Sequence, residues 1–272
     1  MVTSLAGSLG ERHKGEIVNE NVRRMFDLGD DVAIVTGAGR GIGEGIAHAL
    51  AGAGAAVVCA ARRADEVERV AGDIRANGGR AIAVPTDVTD DDAVQALCQR
   101  AIDEFGSLDI LINNAGGSPI QTPLVELPRE EWDATMRLNL TSIWVCTNTA
   151  ARMMRDGGRI VNISSKAAVS TVMGSGHYAA AKAAVNSLTM TYAKELGPRI
   201  RVNCIMPGAV PTEIMMKAMR LEEGDLPRLE KILRLPMRRL GTPEDLGLAA
   251  LYLVSPASSW VTGQIIGIDG GL

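Results

Sequence analysis

The sequence predicts a doubly wound α/β domain: an open parallel sheet of about seven strands with helices on both faces. Three observations carry this. Short apolar runs bounded by turn residues recur along the chain, as strands buried on both faces require. Segments with apolar residues at helical spacing separate them, so strand–helix–strand steps read as parallel crossover units. The first run also leads straight into a glycine-rich turn that opens a helix.

The elements follow in order. Residues 1–29 are polar and weakly patterned, and read either as a mobile tail or as an arm packed on the body or on another subunit. Met25 offers an alternative start. Val32–Thr36 is the first strand, residues 41–53 a helix with Ile42, Ile46, Ala49 and Leu50 at its spacing, and Ala56–Ala60 the second strand. Residues 65–76 place Val67, Val70 and Ile74 on one helical side, and Asn77-Gly78-Gly79 stops that helix. Residues 81–84 are a strand, 91–105 a helix and 110–113 a strand. A long helical stretch covers 130–154, then come a strand at 159–163, a helix at 178–196 and a strand at 201–205. A helix at 243–254 and a strand at 264–268 close the chain. With no repeat and no linker after residue 30, residues 30–272 read as one domain. The interruption at 211–240 is rich in Met and Arg. It follows a strand, on the carboxyl edge where open α/β sheets bind ligands, and reads as a substrate lid; a helical surface insert is the plainer alternative.

Composition narrows the class. Of 272 residues, 46% are hydrophobic and 22% charged, which argues against a disordered chain. The 28 basic residues against 32 acidic ones give a net charge of −4, and no basic block suggests a nucleic-acid partner. Cys59, Cys98, Cys146 and Cys204 are far apart and read as free buried thiols of a reducing compartment. His13, His48 and His177 show no ligand spacing, so no metal is expected. No apolar run reaches the roughly 18 residues of a membrane span, and the N-terminus lacks the apolar core of a secretory signal. The expected location is cytoplasmic.

The glycine turn is Thr36-Gly37-Ala-Gly-Arg40-Gly41-Ile42-Gly43, at the first strand–helix junction. A tight turn there lets backbone N–H groups and the helix N-terminus approach an anion, as in dinucleotide sites. NAD sites place an acidic residue about 20 residues further on to take the ribose hydroxyls. Here that position is Ala61, followed by Arg62. An arginine would pair with a 2′-phosphate where a carboxylate would repel it, and Arg40 adds a second positive charge. The pattern favours NADP(H), with NAD(H) the alternative if Arg62 and Arg63 are merely solvated.

Tyr178-Ala-Ala-Ala-Lys182 lies on a predicted helix, where residues i and i+4 share a face. A phenol of pKa about 10 is a poor proton shuttle at neutral pH, and a nearby ammonium favours its ionised form. The pair alone is weak. Ser165 follows a strand at the carboxyl edge, Asn113-Asn-Ala-Gly116 ends another, and Asn139 lies in the next helix.

Thr36–Gly43, Asn113–Gly116, Asn139, Ser165, Tyr178 with Lys182, Pro207-Gly208 and Asp269-Gly270-Gly271 together resemble the short-chain dehydrogenase/reductase family, in its short single-domain branch. The motifs stand in family order and span residues 30–272. The resemblance implies a Rossmann-type fold and an enzyme, an NAD(P)-dependent oxidoreductase interconverting a carbonyl and an alcohol by hydride transfer. Tyr178 would be the general acid–base. Lys182 would bind the nicotinamide ribose and lower the Tyr178 pKa, Ser165 would orient the substrate oxygen, and Asn139 would hold a relay water. Gly37, Arg40, Gly41, Ile42 and Gly43 would bind the pyrophosphate and adenosine side. Asp87, Val88 and Asn114, with Ala115 and Gly116 beside it, would flank the adenosine. Pro207, Gly208, Val210 and Thr212 would seat the nicotinamide. Ser164 reads as a structural neighbour. His177, one residue before Tyr178, should point about 100° away and serve structure or an interface. Lys166-Ala-Ala168 departs from the glycine that many relatives carry after the serine.

The resemblance further suggests a homotetramer through helices near 136–154 and 178–196 and the C-terminal strand. The Met/Leu-rich lid points to a lipophilic carbonyl substrate, and Asn113–Gly117 with Ser255–Trp260 loosely resembles hydroxysteroid dehydrogenases. The lid arginines suit the runner-up, a 3-oxoacyl thioester on an acidic carrier protein. From another class, a non-catalytic nicotinamide-nucleotide sensor would keep the fold without turnover.

Overall fold

The computed structural model describes residues 19–118, 121–170 and 173–272. Most of the segment read as a tail or arm, residues 1–18, lies outside the described residues. The elements run α1 (Glu20–Arg24), β1 (Val32–Thr36), α2 (Gly41–Gly52), β2 (Ala56–Ala61), α3 (Ala64–Ala76), β3 (Arg80–Pro85), α4 (Asp91–Phe105) and β4 (Ile110–Asn113). They continue with α5 (Arg129–Met136), α6 (Ser142–Met153), β5 (Gly158–Ile163), α7 (Gly176–Leu196) and β6 (Ile200–Pro207). The last are α8 (Glu213–Met219), α9 (Leu226–Leu233), α10 (Pro243–Val254) and β7 (Ile265–Ile268).

All seven strands pair in parallel, in the order β3-β2-β1-β4-β5-β6-β7. Strand alternation divides the core between two faces. Ala33 and Val35 of β1 join Ile46 and Leu50 of α2, Val67 of α3 and Leu246 and Leu253 of α10 on one face. Val32 and Ile34 face the other way, toward Val94 and Leu97 of α4, Val145 of α6 and Tyr192 of α7. The order reverses between β1 and β4, and the crevice opened there at the carboxyl edge is where such sheets bind ligands.

Local chemistry sets the helix ends. Asp90 caps α4 by accepting from Asp92 N (3.0 Å) and Ala93 N (3.2 Å), and Gly106 stops it in the left-handed region at φ 88°. Thr242 and Asp245 form a reciprocal capping box on α10. Helices α2 and α10 cross in backbone contact: a Cβ on Gly247 would lie 2.6 Å from Gly45 O.

Two features differ from the sequence reading. Leu28, placed in the terminal segment, is 1% exposed and belongs to the core; its N–H donates to Ala53 O (2.8 Å), and Arg80 Nη2 donates to Gly29 O (2.6 Å). The helical stretch at 130–154 is also not continuous. A π-helical turn, Arg137–Thr141, separates α5 from α6 and carries Asn139. A π turn preserves the apolar periodicity on either side, so the pattern does not announce it, and such turns gather at functional sites.

Candidate active site

The glycine loop is anchored from below by Thr36. Its hydroxyl donates to Ile112 O (3.1 Å) and accepts from Asn114 N (3.0 Å) and Ala115 N (3.1 Å). Asn114 Nδ2 returns to Thr36 O (2.9 Å) and Gly37 O (3.1 Å), locking the end of β4 against the loop. A Cβ at Gly43 would collide with Gly37 O and with Asn114 Nδ2, and Gly37 itself sits at φ 66°. The N-cap of α2, Arg40, makes no side-chain capping bond, so the first N–H groups of that helix have no side-chain acceptor. A cradle of this shape, with free donors at a helix N-terminus, fits a pyrophosphate.

At the end of β2 the acid-bearing position is held by Ala61. Arg62 is exposed and makes no ion pair or hydrogen bond among the described residues. Arg63 pairs with Glu66 (2.8 Å). Arg40, expected to add a second positive charge, is paired with Glu213 of α8. Burial lowers the Arg40 pKa, and so do the neighbouring Arg63 and Arg62. Asp87 Oδ1 accepts from Thr89 N (2.9 Å) and Thr89 Oγ1 (2.8 Å). Burial acts to raise its pKa, but those bonds and the field of Arg62 hold it below the ordinary value. Val88 and Val210 are 6% and 4% exposed and pack in the core, which leaves only their backbone to face a ligand. Ile42 leans on the core, Pro207 ends β6, and Gly208 follows it.

Tyr178, Lys182 and Ser165 come together above β4 and β5. The Ser165 hydroxyl hydrogen-bonds the Tyr178 side chain and accepts from Ala167 N (3.1 Å). Lys182 is 2% exposed; its Nζ donates to Ile163 O (2.8 Å) and lies 5.7 Å from the Tyr178 ring centroid. Burial pushes its pKa down to about 8. Burial also holds the Tyr178 phenol above its usual value, and the bond with Ser165 offsets only part of that. At Tyr178 desolvation dominates, and the Lys182 ammonium donates to a backbone carbonyl. Asn139 is fully buried. Its Oδ1 accepts from Gly117 N (2.7 Å), and its Nδ2 donates to Gly117 O (3.0 Å) and Thr135 O (3.1 Å), so the side chain clamps Gly117 beside Gly116. Ser164 is turned inward, donating to Lys182 O (3.0 Å).

Two tertiary contacts hold the neighbouring loops, one of them made by His177, which the sequence reads as structural. His177 is 1% exposed, and its Nε2 hydrogen-bonds Ser118 Oγ (3.1 Å), tying the start of α7 to the loop that carries Gly116. Lys166 Nζ pairs with Asp269 Oδ2 (2.7 Å), fastening the Ser165 loop to the end of β7. The segment 211–240 reaches two neighbouring loops. Ile214 packs against Gly117, where a Cβ would lie 2.9 Å away, and the Thr212 methyl lies 3.1 Å from the corresponding point at Gly41.

Fold and site together define a dinucleotide-dependent oxidoreductase, and the likeness to known proteins agrees. A family model described as enoyl-(acyl carrier protein) reductase matches residues 37–272. A 3-oxoacyl-[acyl-carrier-protein] reductase of Synechocystis sp. is 39% identical over 253 residues, 91% of this chain and 99% of its own length. A 7alpha-hydroxysteroid dehydrogenase of Escherichia coli is 39% identical over 247 residues, 88% of this chain and 92% of its own. The solved structure of a 7alpha-hydroxysteroid dehydrogenase complexed with NADH and 7-oxo glycochenodeoxycholic acid matches with a TM-score of 0.84 at 38% identity, covering 91% of this chain and 96% of that one. The chain belongs to the short-chain dehydrogenase/reductase family. It is an NAD(P)-dependent oxidoreductase that interconverts a carbonyl and an alcohol.

Proposed function

We propose that the protein is an NADP(H)-preferring enzyme acting on a lipophilic carbonyl compound, with Tyr178 transferring the proton. The observation that carries the reading is the convergence of Tyr178, Ser165, Lys182 and the Asn139 clamp on the crevice where the strand order reverses. Bound on the glycine loop, the nicotinamide would supply or accept the hydride. Tyr178 donates its proton to the carbonyl oxygen as the alcohol forms and recovers it in the reverse direction. Ser165 donates a hydrogen bond to the same oxygen and keeps it within reach of the phenol. Lys182, charged below about pH 8, favours the ionised Tyr178. The Asn139 side chain is fully engaged, so a relay water would be held by its backbone carbonyl in the π-helical turn.

Arg62, unpaired beside Ala61, supports the NADP(H) preference. A cavity of about 940 Å³ between α8 and α9 is lined by Pro211, Met216, Leu221 and Leu226 together with the charged Glu213, Lys217, Arg220, Glu222 and Glu223; its apolar members support a lipophilic substrate. Lys217 and Arg220 at the same cavity keep a second reading, a 3-oxoacyl thioester presented by an acidic carrier protein. Exposed Trp144 on α6 and Met190 on α7 support a homotetramer built on those helices and β7. Four buried free cysteines, three of them with thiols pushed up to about 12, suit a reducing cytoplasm. The test is a set of initial rates with NADPH and NADH against steroids, quinones, 3-oxoacyl thioesters and sugars. NADPH-preferring turnover confined to one lipophilic class supports the proposal. Turnover of sugars alone, or preference for NADH, would overturn it.

A further inference from the structure

Arg40, Arg62 and Arg63 share one electrostatic neighbourhood at the corner where a 2′-phosphate would sit. Two of the three already carry internal counter-ions. Arg63 is held by Glu66 of α3, within the nucleotide-binding half of the fold. The partner of Arg40 comes from elsewhere: Glu213 is the first residue of the lid helix α8. Its other oxygen takes Lys217 Nζ one turn on, at 2.5 Å. Thr212 caps α8 by accepting from Met215 N (3.3 Å), and its methyl rests against Gly41, so the lid carboxylate is delivered to the phosphate loop by a seated helix start.

We propose that Glu213 is a specificity-determining residue: a lid carboxylate that competes with the cofactor's 2′-phosphate for Arg40 and so sets the margin between phosphorylated and unphosphorylated dinucleotides. The inference rests on the NADP(H) reading above. A phosphate monoester brings up to about two negative charges into this corner. It meets Arg40 already paired with Glu213. A dinucleotide without the phosphate disturbs neither, and the Arg40–Glu213 pair stays closed over it. The pair is partly exposed, with side chains 34% and 42% accessible, so the competition is a tuning effect rather than a block.

Fluorescence titration of the full-length protein with NADPH and with NADH tests this. Glu213→Gln should tighten NADPH by roughly three- to fivefold, the scale of one partly exposed ion pair, and leave NADH within twofold. In an Arg40→Ala background the same substitution should change the NADPH affinity by less than twofold, because the contested cation is gone. An equal shift for both dinucleotides, no shift for either, or a Glu213→Gln effect that survives without Arg40 would overturn the proposal. The retained NADH affinity reports that each variant is folded. Arg62→Ala separates the two levels. If it weakens NADPH selectively while Glu213→Gln does nothing, the NADP(H) reading stands and the competition falls; if it has no selective effect, the NADP(H) reading itself falls.

Discussion

Lys182 is an ammonium buried to 2% exposure, with a pKa lowered to about 8 from 10.5, and that gap makes its replacement a quantitative test. Between those two values the folded protein has released the proton while the unfolded chain still holds it. Wild-type stability therefore rises with pH across the window and is flat below it. Replacing the side chain by the apolar, similarly long Met removes this dependence. Comparing Lys182→Met with wild type cancels the other titrating groups to first order. From pH 7 to pH 10 the difference in unfolding free energy should move by roughly 2–3 kcal/mol in favour of wild type. Two neighbours bear on the upper limit. Cys204, fully buried nearby, has a thiol pushed up to about 11 and so stays largely neutral through pH 10, and burial raises the Tyr178 phenol as well. Urea unfolding of the cofactor-free protein at the two pH values reads the difference directly. A difference that stays constant within about 0.5 kcal/mol would refute the claim that Lys182 is held against a desolvation penalty.

Tyr178→Phe should cut turnover by at least about 100-fold while NADPH affinity stays within twofold; a retained rate would remove the acid–base assignment. Leu28→Ala should cost about 2–4 kcal/mol in urea unfolding, because the side chain sits in the main core rather than in a loose terminus. A cost below about 0.5 kcal/mol would return that residue to the tail. Light scattering should give the mass of four chains, and a monomeric mass would contradict the assembly proposed through α6, α7 and β7.

The central strands were legible because each is a short apolar run whose alternation is masked by burial on both faces, and the glycine loop because a Cβ at Gly43 would collide with Gly37 O. Tyr178 and Lys182 were legible because helical spacing by itself puts them on one face. The π turn at Asn139 was not: it inserts a residue without disturbing the apolar stripe. Leu28 was not, because a single core residue in a polar stretch has no period. The partners of His177 and Lys166 were equally hidden, since Ser118 and Asp269 lie 59 and 103 residues away.

What the sequence determined by itself is therefore local and periodic: element type, the parallel class, the glycine cradle and the Tyr–Lys pair all follow from spacing along the chain. What only the tertiary structure decided is the state of the charged and polar groups. Whether Arg40 is free or held by Glu213, and whether Lys182 faces the phenol or a carbonyl, depend on neighbours brought from distant segments. Charge and hydrogen bonding act through space over a few ångströms, and the order of residues along the chain does not record which groups folding brings that close.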